Sequence, residues 1–251
     1  RHAEGRSRSR RPAAWRSSAV ACSVCLWEDG RLLAQSFQNS GLTHSRTLMS
    51  LCGDLLKNGG YTLDEVDVVA VAAGPGSFTG LRIGVAAAKG LAWAGDKPCA
   101  GVSTLEAMAW PLAHLEGADL CAVMDARRQQ VYNALFEVRG GALLRRCPDR
   151  AVSVEQLAAE LEVRKKPQIL VGDGTKLCYN ELTKRGLPME PAPPHLVFQS
   201  AWGVALAAAE LAGRGGLVTA AGLEPVYHRL SQAERERLAR QGKAEKCKGD
   251  N

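Results

Sequence analysis

Residues 68–84 read Val68-Val69-Ala70-Val71-Ala72-Ala73-Gly74-Pro75-Gly76-Ser77-Phe78-Thr79-Gly80-Leu81-Arg82-Ile83-Gly84, and the fold turns on them. The run from Val68 to Ala73 is short, rich in β-branched residues and free of polar alternation, the pattern of a strand buried on both faces. It breaks at Gly74-Pro75-Gly76-Ser77-Phe78-Thr79-Gly80, where three glycines and a proline allow a tight backbone path. From Leu81 to about Ala94 the chain is apolar and Ala-rich, with good helix formers and Gly95 as a stop. Strand, Gly-rich turn and helix follow one another. Such a turn aims backbone N–H groups at a helix N-terminus, where an anion or a close-packed partner can sit. Two phosphate motifs fail here. A Walker loop would need Lys and Ser or Thr after Gly80, where Leu81 and Arg82 stand, and the dinucleotide fingerprint would need Gly at Thr79. On spacing alone the segment reads as a turn with close helix–strand packing.

Outward from this unit, the spacing predicts a strand over 19–26, a Glu28-Asp29-Gly30 hairpin turn and a returning strand over 31–37. Residues 41–58 form an amphipathic helix in which Leu48, Leu51, Cys52, Leu55 and Leu56 recur at helical spacing. After the Ala-rich helix come a strand over 98–102 and a helix capped by Ser103. Strands over 120–124, 131–138 and 142–146 follow, then a helix over 153–161, a strand over 168–171, and helices over 175–185 and 201–212. The order strand-strand-strand-helix-strand-helix thus occurs twice, which predicts mixed sheets covered on their faces.

The chain has 251 residues, 46% hydrophobic and 23% charged, ordinary values for a globular protein, and no apolar run reaches the length of a membrane span. The formal net charge of +6 resides in the ends: residues 1–17 carry six Arg and one Glu, residues 231–251 six Lys or Arg and four Asp or Glu, leaving −1 for residues 18–230. Composition therefore makes no case for a phosphate-tracking surface on the folded body. The eight cysteines are scattered, most inside apolar stretches; Cys22 and Cys25 form a lone C-x-x-C on a strand, with no second pair to complete a zinc site. They are expected to be reduced thiols of a cytoplasmic protein.

Gly74–Gly84, Lys97-Pro98 and Gly101–Leu105 closely resemble the TsaB (YeaZ) family of bacterial tRNA threonylcarbamoyladenosine biosynthesis proteins. Asp125-Ala126-Arg127-Arg128 with Val131-Tyr132, Val171–Gly174 and Pro225-Val226-Tyr227 also resemble that family's pattern. The resemblance implies an α/β fold of two ribonuclease-H-like lobes, over 18–112 and 113–230, of the acetate-kinase, actin and sugar-kinase superfamily. Family members begin with a short apolar strand ending in Asp-Thr-Ser. Here Arg16-Ser17-Ser18 stands in that place and the strand is expected to be absent, with 1–17 an aberrant Arg-rich stretch produced by a wrong start or a frameshift. A transit peptide or a twin-arginine signal at Arg10-Arg11 is the other compositional reading, but no apolar region follows. Both 1–17 and the charged tail 231–251 are expected to be poorly ordered.

No catalytic residue is identified. Of His2, His44, His114, His195 and His228 no two are spaced as a helical metal pair, and the His-x-x-x-His pair of the related catalytic subunit TsaD is missing because Leu48 follows His44. Asp125 and Asp173, flanked by Gly172 and Gly174, are positioned after strands, where they can face a nucleotide or phosphate or simply cap local backbone N–H groups. The family resemblance further implies that Leu48, Leu51, Cys52 and Leu55 of one helix and Ala86, Ala87 and Gly90 of the next meet TsaD. It implies a non-catalytic, membrane-free scaffold that binds TsaD, recruits the ATPase TsaE, reaches tRNA through the complex and can form a homodimer. No intrinsic cofactor or metal is expected, with ATP or ADP at the complex interface. The alternative is a small-molecule kinase or phosphatase of the same superfamily that uses Asp125 and the Gly74–Gly80 loop.

Overall fold

In a computed structural model of the chain, the described residues are 12–17, 22–39, 44–164 and 166–229. Two mixed sheets repeat one topology. The first comprises β1 (Pro12–Ser17), β2 (Cys22–Glu28), β3 (Arg31–Gln38), β4 (Val68–Gly74) and β5 (Cys99–Ser103), in the order β3-β2-β1-β4-β5. β1 and β2 pair antiparallel, as do β2 and β3, while β4 lies parallel to β1 and to β5. The second sheet comprises β6 (Asp119–Asp125), β7 (Gln130–Arg139), β8 (Ala142–Arg145), β10 (Gln168–Val171) and β11 (Met189–Pro191), in the order β8-β7-β6-β10-β11, with β9 (Arg150–Ser153) beside β7. Three antiparallel strands followed by two parallel ones, twice over, is the duplicated ribonuclease-H-like arrangement that the sequence resemblance implied.

The expectation of a missing first strand is corrected. β1 lies at the centre of the first sheet, with Ala14 opposite Cys25 on one side and Ala70 on the other. Central strands are recognised by side-chain pattern, and an Arg-rich, Pro-containing stretch lacks one. A gap between β2 and β4 would instead leave two rows of backbone N–H and C=O groups unpaired inside the protein, and any strand-forming backbone relieves that. Residues 1–11, 18–21 and 230–251, where expectations of disorder and the start of a strand fall, lie outside the described residues.

Helices fill three layers. α1 (His44–Gly59) and α2 (Phe78–Ala94) cover the outer face of the first sheet, packing Leu48, Leu51, Leu55, Val85 and Ala88 on Val24, Leu26, Val69 and Val71. α4 (Val154–Arg164) and α5 (Thr175–Lys184) cover the outer face of the second, with Leu157, Leu161, Cys178 and Leu182 against Cys121, Val123 and Leu170. Between the sheets lie α3 (Thr104–Ala109) and α7 (Ala201–Gly213), and they exchange halves. α7 follows the second sheet in sequence yet packs Val204, Ala205 and Ala208 on Ala70, Ala72 and Ala100 of the first. α3 precedes the second sheet yet packs Leu105 and Met108 on Leu120, Ala122 and Phe136. The two helices touch at Gly203, where a Cβ would run into the Ala107 carbonyl. A short helix, α6 (Pro194–Val197), leads into α7.

Candidate functional site

The Gly-rich loop leaves the C-terminal end of β4 in the path its residues allow. Gly74 has φ +150°, a region closed to side chains, and a Cβ there would strike the Val226 carbonyl oxygen. The Val226 N–H in turn donates to the Ala73 carbonyl at 2.8 Å. Ser77 caps α2, its hydroxyl accepting from the Gly80 N–H at 3.3 Å. Pro75, Gly76 and Thr79 complete the turn, with Gly76 beside Leu81. Phe78 stacks on Tyr227 with centroids 4.7 Å apart. The Arg82 guanidinium lies 4.0 Å over the Phe78 ring, and its Nε donates to the Tyr227 hydroxyl at 3.1 Å. The loop is thus a seat for the segment after α7, and the close-packed partner that the loop geometry allows is the chain's own residues 225–227.

That segment continues to the second half. The Arg229 guanidinium donates to the Ala126 carbonyl in the turn between β6 and β7. Arg127, Arg128 and Gln129 of this turn have φ of +67°, +57° and +56°. L-residues visit this left-handed region singly and at a cost of about 1–2 kcal/mol each, so three in succession are an uncommon expense. Asp125 contributes to holding the turn: its Oδ1 accepts from the Arg127 N–H at 2.6 Å, and its own N–H donates to Asp173 Oδ1 at 3.1 Å. Gly172, at φ +116°, and Gly174 lie hard against the backbone of Val123–Asp125, which is why this loop is glycine. The structure therefore brings together Asp125, Gly172, Asp173 and Gly174, and one oxygen of each carboxylate accepts from a local backbone N–H. Beside them an open pocket of about 400 Å³ is lined by Gly172, Asp173, Thr175, Tyr179, Pro191 and Phe198.

The docking residues read from the sequence divide. Leu48, Leu51, Cys52 and Leu55 are between 1% and 9% exposed and belong to the core beneath α1, so the expectation that they meet a partner is corrected. One apolar stripe cannot serve two surfaces, and here the sheet takes it. Ala86 and Gly90 are exposed and Ala87 is half-buried. Across the outer layer, Met49 on α1 is 48% exposed and Trp93 on α2 is 75% exposed, while added Cβ atoms at Gly53 and Gly90 would meet nothing. This surface combines small residues with two exposed large apolar side chains. Sequence reasoning missed Met49 and Trp93, although Trp93 falls three residues after Gly90 on the same helix.

Burial holds two of the thiols in their protonated form. Burial, and then neighbouring Cys22, pushes Cys52 up to about 12, and burial, then Asp125, does the same for Cys178. Among the described residues no group of three His, Cys, Asp or Glu side chains is placed to hold a metal ion, and none of the helices they form is long and apolar enough to cross a membrane. The His44 side chain lies outside the described atoms.

The family model described as TsaD: tRNA N6-adenosine threonylcarbamoyltransferase matches residues 38–190. The chain is 32% identical over 161 residues to the "tRNA threonylcarbamoyladenosine biosynthesis protein TsaB" of Bacillus subtilis, covering 64% of this chain and 70% of that protein. It is 38% identical over 122 residues to the protein of the same description from Escherichia coli, covering 48% of this chain and 52% of that one, so the chain spans about half the length of this relative. Among solved structures, YeaZ from Pseudomonas aeruginosa superimposes with a TM-score of 0.74 at 27% identity, covering 87% of this chain and 99% of that one.

Proposed function

The chain belongs to the TsaB (YeaZ) family, and from that premise we propose that it is a non-catalytic scaffold of the assembly that installs threonylcarbamoyl on the adenosine adjacent to the tRNA anticodon. In this reading it binds a TsaD-type catalytic subunit, and the pair recruits a TsaE-type ATPase, with ATP or ADP at the interface. The assembly moves the threonylcarbamoyl group from its adenylate to the exocyclic amine of the adenosine. The work is cytoplasmic, where tRNA is modified.

The observation that carries the reading is the outer surface of α1 and α2. Behind it lies a packed core, and among the described residues nothing covers Met49 and Trp93 or fills the space over Gly53 and Gly90, while Ala86 is exposed. Helices of a partner can approach closely over such residues, and exposed apolar side chains at the margins supply anchors. The kinase alternative has less support, since Asp125 and Asp173 are engaged with backbone N–H groups and the motif loop is occupied by Tyr227.

Sedimentation velocity with a TsaD-type protein from the same organism tests the reading. A one-to-one complex is expected at micromolar concentration, together with loss of any homodimer that uses the same helices. Two species sedimenting independently at ~100 μM would remove the scaffold role; that concentration corresponds to a binding free energy weaker than about −5.5 kcal/mol.

A further inference from the structure

Arginines elsewhere in the second half are neutralised. Each of the seven from Arg139 to Arg214 pairs with a carboxylate: Arg139 and Arg146 with Glu137, Arg145 with Glu106 and Asp149, Arg150 and Arg164 with Glu160, Arg185 with Glu181, and Arg214 with Glu210. Among described side chains, five arginines have no carboxylate partner, and four of them, Arg82, Arg127, Arg128 and Arg229, are linked through the segment that joins the two halves. Arg82 reaches Tyr227, Arg229 follows two residues later, and Arg229 holds the Ala126 carbonyl next to Arg127 and Arg128. At the base of the turn Asp125 accepts from the Arg127 N–H and Asp173 accepts from the Asp125 N–H. Tyr227, 40% exposed, accepts from Arg82 through its hydroxyl and has one face on Phe78, two residues before Arg229.

We infer that this strip is a binding surface for the phosphodiester backbone of single-stranded RNA. Guanidinium groups without a carboxylate partner take phosphate oxygens, and an exposed aromatic ring beside one of them offers a base something to stack on; together these are the elements of single-strand recognition. The left-handed turn supports the assignment. Three strained residues in succession keep Arg127 and Arg128 at an exposed tip, where glycine would satisfy the backbone alone. An acidic protein would use the charges but not the ring, and a free nucleotide would need an enclosed site that this exposed strip does not form. The inference extends the proposed function, since it has the chain touch the RNA of its own pathway. It is tested without any partner subunit, so its failure and failure of the scaffold reading are distinguishable.

The test is fluorescence polarisation of the full chain with a labelled single-stranded RNA of ~12 nucleotides, a length within single-strand site sizes. R127E/R128E should weaken binding at least ~10-fold, and its salt slope should fall by about 1.4, the share of two phosphate contacts. Tyr227→Ala should weaken binding ~5-fold or more, as loss of one stacked base does. R127G/R128G should weaken RNA binding while raising the melting midpoint, because glycine relieves the turn; this variant is expected to fold even if charge reversal is not tolerated. Unchanged affinity in R127G/R128G would assign RNA binding to the basic chain ends and overturn the proposal. So would absence of wild-type binding at low salt, or full displacement of RNA by ATP at equimolar phosphate.

Discussion

At the residue scale, two positions carry the tightest physical demands. Gly74 must hold a φ of +150° while its hydrogen atoms face the Val226 carbonyl. Gly74→Ala should destabilise the protein by about 2–3 kcal/mol, through overpacking and a disallowed backbone conformation. The same change should loosen the segment after Leu223, so limited proteolysis there should accelerate more than in a core variant of equal stability. Cys52 and Cys178 contribute to stability in a way that depends on alkaline pH. Their folded values, raised by burial from the ordinary 9.0 to about 12, lie above those of the unfolded chain. Unfolding then releases protons in alkaline solution, so their contribution is complete below about pH 8.5 and is lost as pH rises toward 12. Melting midpoints should fall across that window, and Cys52→Ala should show a shallower fall. A midpoint independent of pH up to 11 would mean the thiols are not desolvated as described.

At the scale of elements, α1 and α2 separate core from surface. Ala86→Trp or Gly90→Trp should leave the midpoint unchanged and weaken binding of a TsaD-type partner at least ~10-fold, ~1.4 kcal/mol. Leu48→Glu should collapse the midpoint, because it places a carboxylate in the core beneath α1. Equal binding by stable Ala86→Trp and Gly90→Trp variants would remove these helices as the docking surface. Much of this layer was legible in sequence: the helical recurrence of Leu48, Leu51 and Leu55 located α1, and the apolar run from Val68 located β4. Periodicity shows that a helix has an apolar stripe but not which neighbour covers it, so core residues were read as docking residues. β1 was illegible for the opposite reason. Its place is set by the backbone vacancy between β2 and β4, a demand made by strands distant in sequence. The left-handed turn was equally hidden, since nothing in Ala126-Arg127-Arg128-Gln129 announces a run of positive φ.

At the scale of the whole molecule, the exchange of α3 and α7 makes the halves interdependent. Each sheet's inner face is covered by a helix from the other half. A polar clasp reinforces the join: Arg145 bonds Glu106 and Asp149 at 2.6 Å each, Ser103 donates to Asp149 at 2.6 Å, and the Arg145 guanidinium lies over Phe136. Arg145→Ala strands two partly buried carboxylates and should cost about 2 kcal/mol, with Glu106→Gln in the same chain recovering part of it in a double-mutant cycle. Additive losses would mean the clasp is not one unit. Two halves joined by exchanged helices, with the Gly-rich loop seating the chain's own Tyr227, suit the proposed platform better than a kinase that must close on substrate. The most direct test of that claim is reconstituted transfer of labelled threonylcarbamoyl to tRNA, with each protein omitted in turn. The account predicts no transfer by this chain alone, transfer when the TsaD-type and TsaE-type proteins are added, and loss of that transfer in Ala86→Trp but not in Asp125→Ala. Transfer or ATP turnover by this chain alone, abolished by Asp125→Ala, would contradict it.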